Sequence, residues 1–381
     1  MRIIRPDRAR IKLIPAVGLL AIFAFFSLRI AGAADFRFIS GPCNFSFPRD
    51  HAAHPDCRTE WWYYTGNLRA EDGARYGFQL TFFRMGTVPA FKGKPPSEKQ
   101  SAWRSDQVFA VHAAISDITS DRFLRFDRMS RAALELAGAR EAEGTFKIFV
   151  NGCSAAITPA NHLLRAKSAD FALSLKLIPL KDPAAHGDSG WSIKGECPGE
   201  GSCYYSIPRL EVSGNVSVGG REKSVRGTAW MDHEFSTTPL NPRFAGWDWF
   251  GLQFSDGSEL MVYLMREKNG EHGPISSGTF VDRQGKQVRL FAGDIRLHTL
   301  EKWKSPHSGA LYPSSWLLEI VPLDLSIRIA PNLADQEMQS PGSTRITYWE
   351  GSIRAEGSAG GRTIDGNGYA ELAGYAGPVR F

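Results

Sequence analysis

The chain has 381 residues, of which 43% are hydrophobic and 22% charged; such values suit a folded protein of about two domains and speak against disorder, collagen or a polytopic membrane protein. The formal charge is +5, but six basic residues (Arg2, Arg5, Arg8, Arg10, Lys12, Arg29) precede residue 34 against Asp7 alone, which leaves 39 basic and 39 acidic residues after it. A neutral remainder cannot release counterions from a phosphate backbone by net charge, so nucleic acid is not an expected partner.

Five basic residues through Lys12 lead into an apolar run from Leu13 to Leu28, and Ala31-Gly32-Ala33 supplies the small-x-small pattern of a signal-peptidase site. Residues 1–33 therefore read as a cleaved signal peptide, with a retained anchor as the alternative, and either places the rest outside the cytoplasm, periplasmic or secreted. Cys43 follows Ser40-Gly41-Pro42, which lacks the apolar residue of a lipobox. All five cysteines (Cys43, Cys57, Cys153, Cys197, Cys203) lie beyond the cleavage site, where disulfides persist. Spacing favours Cys197 with Cys203 around a Pro/Gly-rich loop, and Cys43 with Cys57 as a second pair, leaving Cys153; connectivity stays open. The spacings do not make a zinc ligand set.

Beyond residue 35 the apolar pattern has period two, punctuated by Gly and Pro about every ten residues, which predicts an all-β, antiparallel barrel or sandwich architecture. The best helical candidate is Ala132 to Glu143, interrupted by Gly138. Two strand, Asp-Gly, strand units stand about 185 residues apart: Trp61 to Arg84 around Asp72-Gly73, and Trp247 to Arg266 around Asp256-Gly257. A two-residue turn at each Asp-Gly sets Trp61 opposite Arg84 and Trp247 opposite Arg266, and the recurrence suggests a duplicated β domain. The boundary is expected in Thr237-Thr238-Pro239-Leu240-Asn241-Pro242, giving domains over 34–238 and 239–381.

Several residues bear on chemistry. Glu60 stands beside the aromatic run, and His112 lies opposite the apolar positions of its segment, where a structural histidine is the commoner outcome. His51 and His54 resemble a metal site only superficially, in a loop-like stretch. Gly187-Asp188-Ser189-Gly190 resembles a serine-nucleophile box but runs into Trp191, and neither a Gly-x-Ser-x-Gly elbow nor a Walker loop occurs. In Trp230-Met231-Asp232-His233-Glu234-Phe235, alternation projects Asp232 and Glu234 from one face about 7 Å apart, with His233 on the other. In the strand from Trp247, Trp247, Trp249 and Gly251 share one face and Asp248, Phe250, Leu252 and Phe254 the other. Asp248 thus sits on an apolar face, next to Met265 and Tyr263 in the inferred register, where desolvation would raise its pKa and keep it a proton donor. Ten Trp, ten Tyr and 24 Phe residues imply a cavity or a broad apolar interface.

Glu60-Trp61-Trp62-Tyr63-Tyr64-Thr65-Gly66-Asn67-Leu68, Gly227-Thr228-Ala229-Trp230-Met231-Asp232-His233-Glu234, Gly246-Trp247-Asp248-Trp249-Phe250 and Gly366-Asn367-Gly368-Tyr369-Ala370-Glu371-Leu372 together resemble the lipocalin-like carotenoid 1,2-hydratase and AttH-domain family. The resemblance spans about residues 36–381. It implies two consecutive lipocalin-like β domains with a cavity near their junction, and relatives that hydrate acyclic carotenoids or cyclise polyenes. The chain is similar to the secreted branch labelled predicted hydrolase. In such a hydratase Asp248 would protonate an alkene, Trp247, Trp249 and Tyr263 would face the cation, and Asp232 or Glu234 would position the water, with His233 joining the catalytic set if the chain bends there. Trp61, Trp62, Tyr64, His112, Trp230, Trp247 and Trp249 are the expected ligand wall. The expected partner is an apolar small molecule, with no cofactor and no metal. Three functions compete: a lipid-handling binding protein, an acid-base enzyme, and an accessory of an envelope transporter with peripheral membrane contact.

Overall fold

The alternation read from the sequence is realised as two antiparallel sheets. The computed structural model describes residues 35–89 and 105–379, so the expected export segment lies outside the described residues. Among the described residues no α-helix occurs, and no helix is long and apolar enough to cross a membrane. The first sheet has 13 strands, ending with Arg221–Ser236, and curls into a nearly closed barrel; the second has 10, beginning with Phe244–Phe254, and forms a half-barrel.

In the first sheet the strands Gln107–Asp117, Arg75–Gly86, Thr59–Ala70, Arg221–Ser236 and Gly201–Val218 lie side by side in that order. In the second the order is Glu259–Glu267, Phe244–Phe254, Arg362–Ala373, Thr347–Ala359. Period-two alternation gives each strand an inner and an outer face. Inward residues of the first sheet, among them Trp62, Tyr64, Phe78, Phe82 and Ile207, form one core. Phe250, Leu252, Phe254, Trp316 and Ile327 form a second. The outward faces also bury apolar surface: Tyr63, Tyr204 and Trp230 of the first sheet pack with Trp249, Met261, Tyr263 and Tyr369 of the second. At about 1.5–3 kcal/mol per buried large side chain, this third cluster is a substantial tie between the sheets.

The two Asp-Gly turns are one residue longer than expected. Ala70 N–H bonds Ala74 O at 2.8 Å and Phe254 N–H bonds Ser258 O at 2.9 Å, so each loop holds three residues. Gly73 and Gly257 both take φ +87°, the left-handed position that ends such a loop. Asp72 and Asp256 each accept a backbone N–H two residues on. The register therefore shifts by one: Glu60, not Trp61, faces Arg84, and Gly246, not Trp247, faces Arg266. What the two hairpins share is a buried carboxylate–arginine pair, Glu60–Arg84 at 2.7 Å and Asp248–Arg266 at 2.6 Å.

Two further expectations are corrected. Ala132 to Glu143 is not helical: Leu134 and Glu135 take positive φ, and Ala137–Ala142 pairs as a strand with Thr145–Val150. The disulfide joins Cys43 to Cys203, not Cys197 to Cys203 or Cys43 to Cys57. The strand Gly201–Val218 carries Cys203 into a small cluster with Ile39, Phe235 and Cys43, whereas Cys197 stays exposed; Cys57 and Cys153 are buried thiols.

Candidate active site

Between the outer faces of the two sheets lies a cavity of about 140 Å³, and the strand registers write out its walls. On the first sheet, cross-strand neighbours on one face run His112, Thr81, Tyr63, Asp232, Ser206. The next row on that face runs Phe83, Trp61, Glu234, Tyr204. On the second sheet the facing row is Tyr263, Trp249, Glu371, Glu350. Trp247 and Tyr348, two residues before Trp249 and Glu350, extend that wall.

Asp232 is the centre of a converging hydrogen-bond set. Tyr204 Oη donates to its Oδ2 at 2.7 Å, Trp230 Nε1 to its Oδ1 at 2.6 Å, and Ser206 Oγ also to Oδ1. Tyr204 in turn accepts the Trp249 indole N–H at 3.0 Å, and Ser206 meets His186 Nε2 at 2.5 Å, whose Nδ1 reaches Thr279. Both connections cross from one sheet to the other. The carboxyl is 5% exposed, and burial pushes its pKa up to about 7, against the opposing pull of the Ser206, Tyr204 and Trp230 donors. At neutral pH it is poised to give or take a proton.

Glu234 shares the face of Asp232, as alternation predicts, and its Oε1 pairs with Lys194 Nζ at 2.8 Å. That ammonium lies 3.9 Å from the Tyr263 ring centroid. Across the cavity Glu350 and Glu371 are directly opposed on adjacent strands. Burial, then the charge of Glu371, holds Glu350 well above the carboxylate range. Burial likewise pushes Glu371 up to about 8, with a Trp247 hydrogen bond pulling down and Asp232 and Glu234 pushing up. His112 lines the same cavity, bonded to Tyr348 Oη at 2.9 Å and Ser343 Oγ at 3.0 Å, and burial lowers its pKa to about 3, keeping it neutral.

The structure thus brings together Asp232, Glu234, Tyr263, Trp61, His112, Trp247 and Trp249 of the expected residues, with Trp230 buried just behind Asp232. Four others point elsewhere. Trp62 and Tyr64 belong to the first core, where the Trp62 N–H donates to His51 O and Tyr64 Oη meets His162. His233, on the same inward face, bonds Glu60 Oε1 at 2.8 Å and Tyr205 Oη at 3.0 Å. Asp248 faces the second core and is held by Arg266 at 2.6 Å and Tyr375 Oη at 3.0 Å, with Leu264, not Met265, opposite it. It does not line the cavity, and its carboxylate is partnered for structure.

Among the described residues one trio converges as metal ligands do, His54, Glu60 and His233, within 4.8 Å of one another. Glu60 there already takes bonds from Arg84, both imidazoles and the His54 N–H, so the arginine fills the cationic role. His51 meets Tyr205 instead.

Sequence reading missed Tyr63, Lys194, His186, Tyr204, Tyr348, Glu350 and Glu371. A signal for the last two was present: Gly360-Gly361, both at positive φ, is a two-residue hairpin turn, and counting back from it sets Glu350 opposite Glu371.

The sequence matches the AttH-like family over residues 39–375. An AttH protein of Nitrosomonas europaea is 32% identical, with a TM-score of 0.78 over 90% of this chain and 100% of that one. Kievitone hydratase of Nectria haematococca superposes with a TM-score of 0.62 at 12% identity, covering 90% and 99%. CghA, solved with Sch210972, gives 0.54 at 13% identity, covering 89% and 96%. Comparison with curated proteins gives no match. The family match, the likeness to the Nitrosomonas protein and the paired lipocalin-like sheets agree: the chain belongs to the AttH-like family, within the lipocalin-like hydratase fold.

Proposed function

We propose that this protein is a hydratase-type acid-base catalyst acting on an apolar, unsaturated molecule held between the two sheets. The carrying observation is Asp232, a buried carboxyl whose pKa sits at about 7 in an aromatic cavity, fixed by three donors. Protonated Asp232 gives its proton to one alkene carbon, and the electron pair of the double bond forms the new C–H bond. The neighbouring carbon becomes a cation, which faces the electron-rich rings of Tyr63, Trp249 and Tyr263. Water adds to it, and the proton that water sheds returns to Asp232, closing the cycle. The fold shared with kievitone hydratase supports this reading, and that enzyme's substrate is its own.

Residence outside the cytoplasm, with access to an envelope transporter or the membrane surface, belongs to the same proposal. The Cys43–Cys203 disulfide supports an oxidising compartment. The test is mass spectrometry of organic extracts from wild type and Asp232→Asn, both purified from the native envelope and incubated in ¹⁸O-labelled water. A labelled, water-added product in wild type alone supports the enzyme. The same unlabelled molecule in both makes the protein a carrier, which its apolar walls would also suit.

A further inference from the structure

The walls of the cavity differ in one respect. On one side the carboxylate of Glu234 already has a cation, Lys194, whose ammonium lies 3.9 Å from the Tyr263 ring centroid and 5.5 Å from that of Tyr204. On the other, Glu350 and Glu371 face each other across adjacent strands, beside the hydroxyls of Tyr63 and Tyr348 and the indole of Trp247. Among the described residues neither forms an ion pair with a basic side chain. Glu350 is 1% exposed, and its Oε1, in the cavity wall, makes no hydrogen bond. The Tyr63 and Tyr348 hydroxyls that pull Glu350 toward ionisation are neutral donors, so among the described residues no cation balances the pair.

The oxygens of Asp232, Glu350 and Glu371 do not converge on a point as the ligand atoms of His54, Glu60 and His233 do. The aromatic lining of the cavity suits a weakly hydrated cation. Aromatic rings with carboxylates among them are the chemistry that recognises substituted ammonium groups.

We infer that Glu350 and Glu371, with the rings of Tyr63, Tyr348 and Trp247, form a binding site for an organic ammonium group carried by an otherwise apolar molecule. Such a cation takes the place that Lys194 occupies beside Glu234, and lets both glutamates ionise where each now opposes the other. The site stands on the charge and lining of the cavity and not on the role of Asp232, so it goes beyond the hydratase reading. Under that reading the same wall also faces the cationic intermediate.

The experiment titrates the whole mature protein with hexyltrimethylammonium, hexanol and hexanoate, followed by tryptophan fluorescence and calorimetry. Expected is an affinity for the ammonium at least tenfold above that for the alcohol, and weaker still for the carboxylate. Glu350→Gln and Glu371→Gln, checked for folding by circular dichroism, should each reduce that preference severalfold. Equal affinity for ammonium and alcohol, no binding of the ammonium, or a preference indifferent to both glutamine variants would overturn the inference. If either variant fails to fold, the comparison of the three ligands on wild type decides. Loss of turnover in Asp232→Asn without any ammonium preference would sink this inference and leave the hydratase reading standing; the reverse pattern would do the opposite.

Discussion

The indole N–H of Trp249 donates to the hydroxyl of Tyr204 at 3.0 Å, a bond that crosses from the second sheet to the first, and the chain ends on the Asp232 carboxyl, to which the Tyr204 hydroxyl donates in turn. Tyr204→Phe removes a donor from Asp232 and the acceptor of Trp249. With less to favour its ionised form, Asp232 should titrate above its present value of about 7. Activity needing protonated Asp232 is lost as pH rises through that value, and the variant should carry this limb to higher pH. The unpaired indole should also reduce stability by about 1–3 kcal/mol. A pH–rate profile and an infrared titration of the carboxyl check the first effect, and urea unfolding the second.

Asp232 also makes stability depend on pH. Its pKa of about 7 in the folded chain exceeds the value of about 4 expected when unfolded. The folded chain keeps this proton where the unfolded chain releases it. The stabilisation is therefore fully present below about pH 4 and lost as pH rises through about 7. Measured as the difference between wild type and Asp232→Asn, stability should fall by a few kcal/mol across that window. Other groups on these walls, Glu234 with Lys194, Glu350, Glu371 and the neutral His112 and His186, are common to both proteins. Chemical unfolding at a series of pH values gives the difference curve, and a flat curve would contradict the raised pKa.

Asp248→Asn separates structure from chemistry. The pair with Arg266 is buried, at 3% and 8% side-chain exposure, and the arginine also holds Ala373 O at 2.7 Å. Removing the charge strands the guanidinium, at a cost of about 3–5 kcal/mol. The folded fraction should retain its ligand and any turnover. Thermal unfolding beside the mass-spectrometric assay checks both halves.

Replacing Cys43 and Cys203 together by serine opens a link between residues 160 apart in sequence. A long closed loop of this kind stabilises by about 2–5 kcal/mol. Denaturation with and without reductant should show that loss in wild type and no further effect of reductant on the double variant.

Much of this was legible in the residues. Period two fixed which side chains share a face, so Asp232 with Glu234 and Trp247 with Trp249 followed from counting alone. Face does not tell direction: the same count put Asp248 among apolar residues without revealing that Arg266 and Tyr375 reach it there. One extra residue in each Asp-Gly loop moved every cross-strand neighbour by one, because turn length sets register. The reading of Asp248 as the acid came from that limit; the structure pairs it with Arg266 away from the cavity. What buries Asp232 is Trp230, Tyr204 and the opposing sheet, brought in by long-range packing that no local pattern records.

The walls of the cavity come from separate stretches of chain, the first sheet ending at Ser236 and the second starting at Phe244. Each half contributes a different ingredient: one holds Asp232 and its donors, the other the opposed Glu350 and Glu371. If the halves arose by duplication, they have since divided the labour, and neither copy can substitute for its twin. A fragment cut in the connecting segment would expose a surface of tryptophan, tyrosine and carboxylate that only its counterpart can cover. Inheritance of such a pair must be joint, and a change in one wall is tested by selection only through the other.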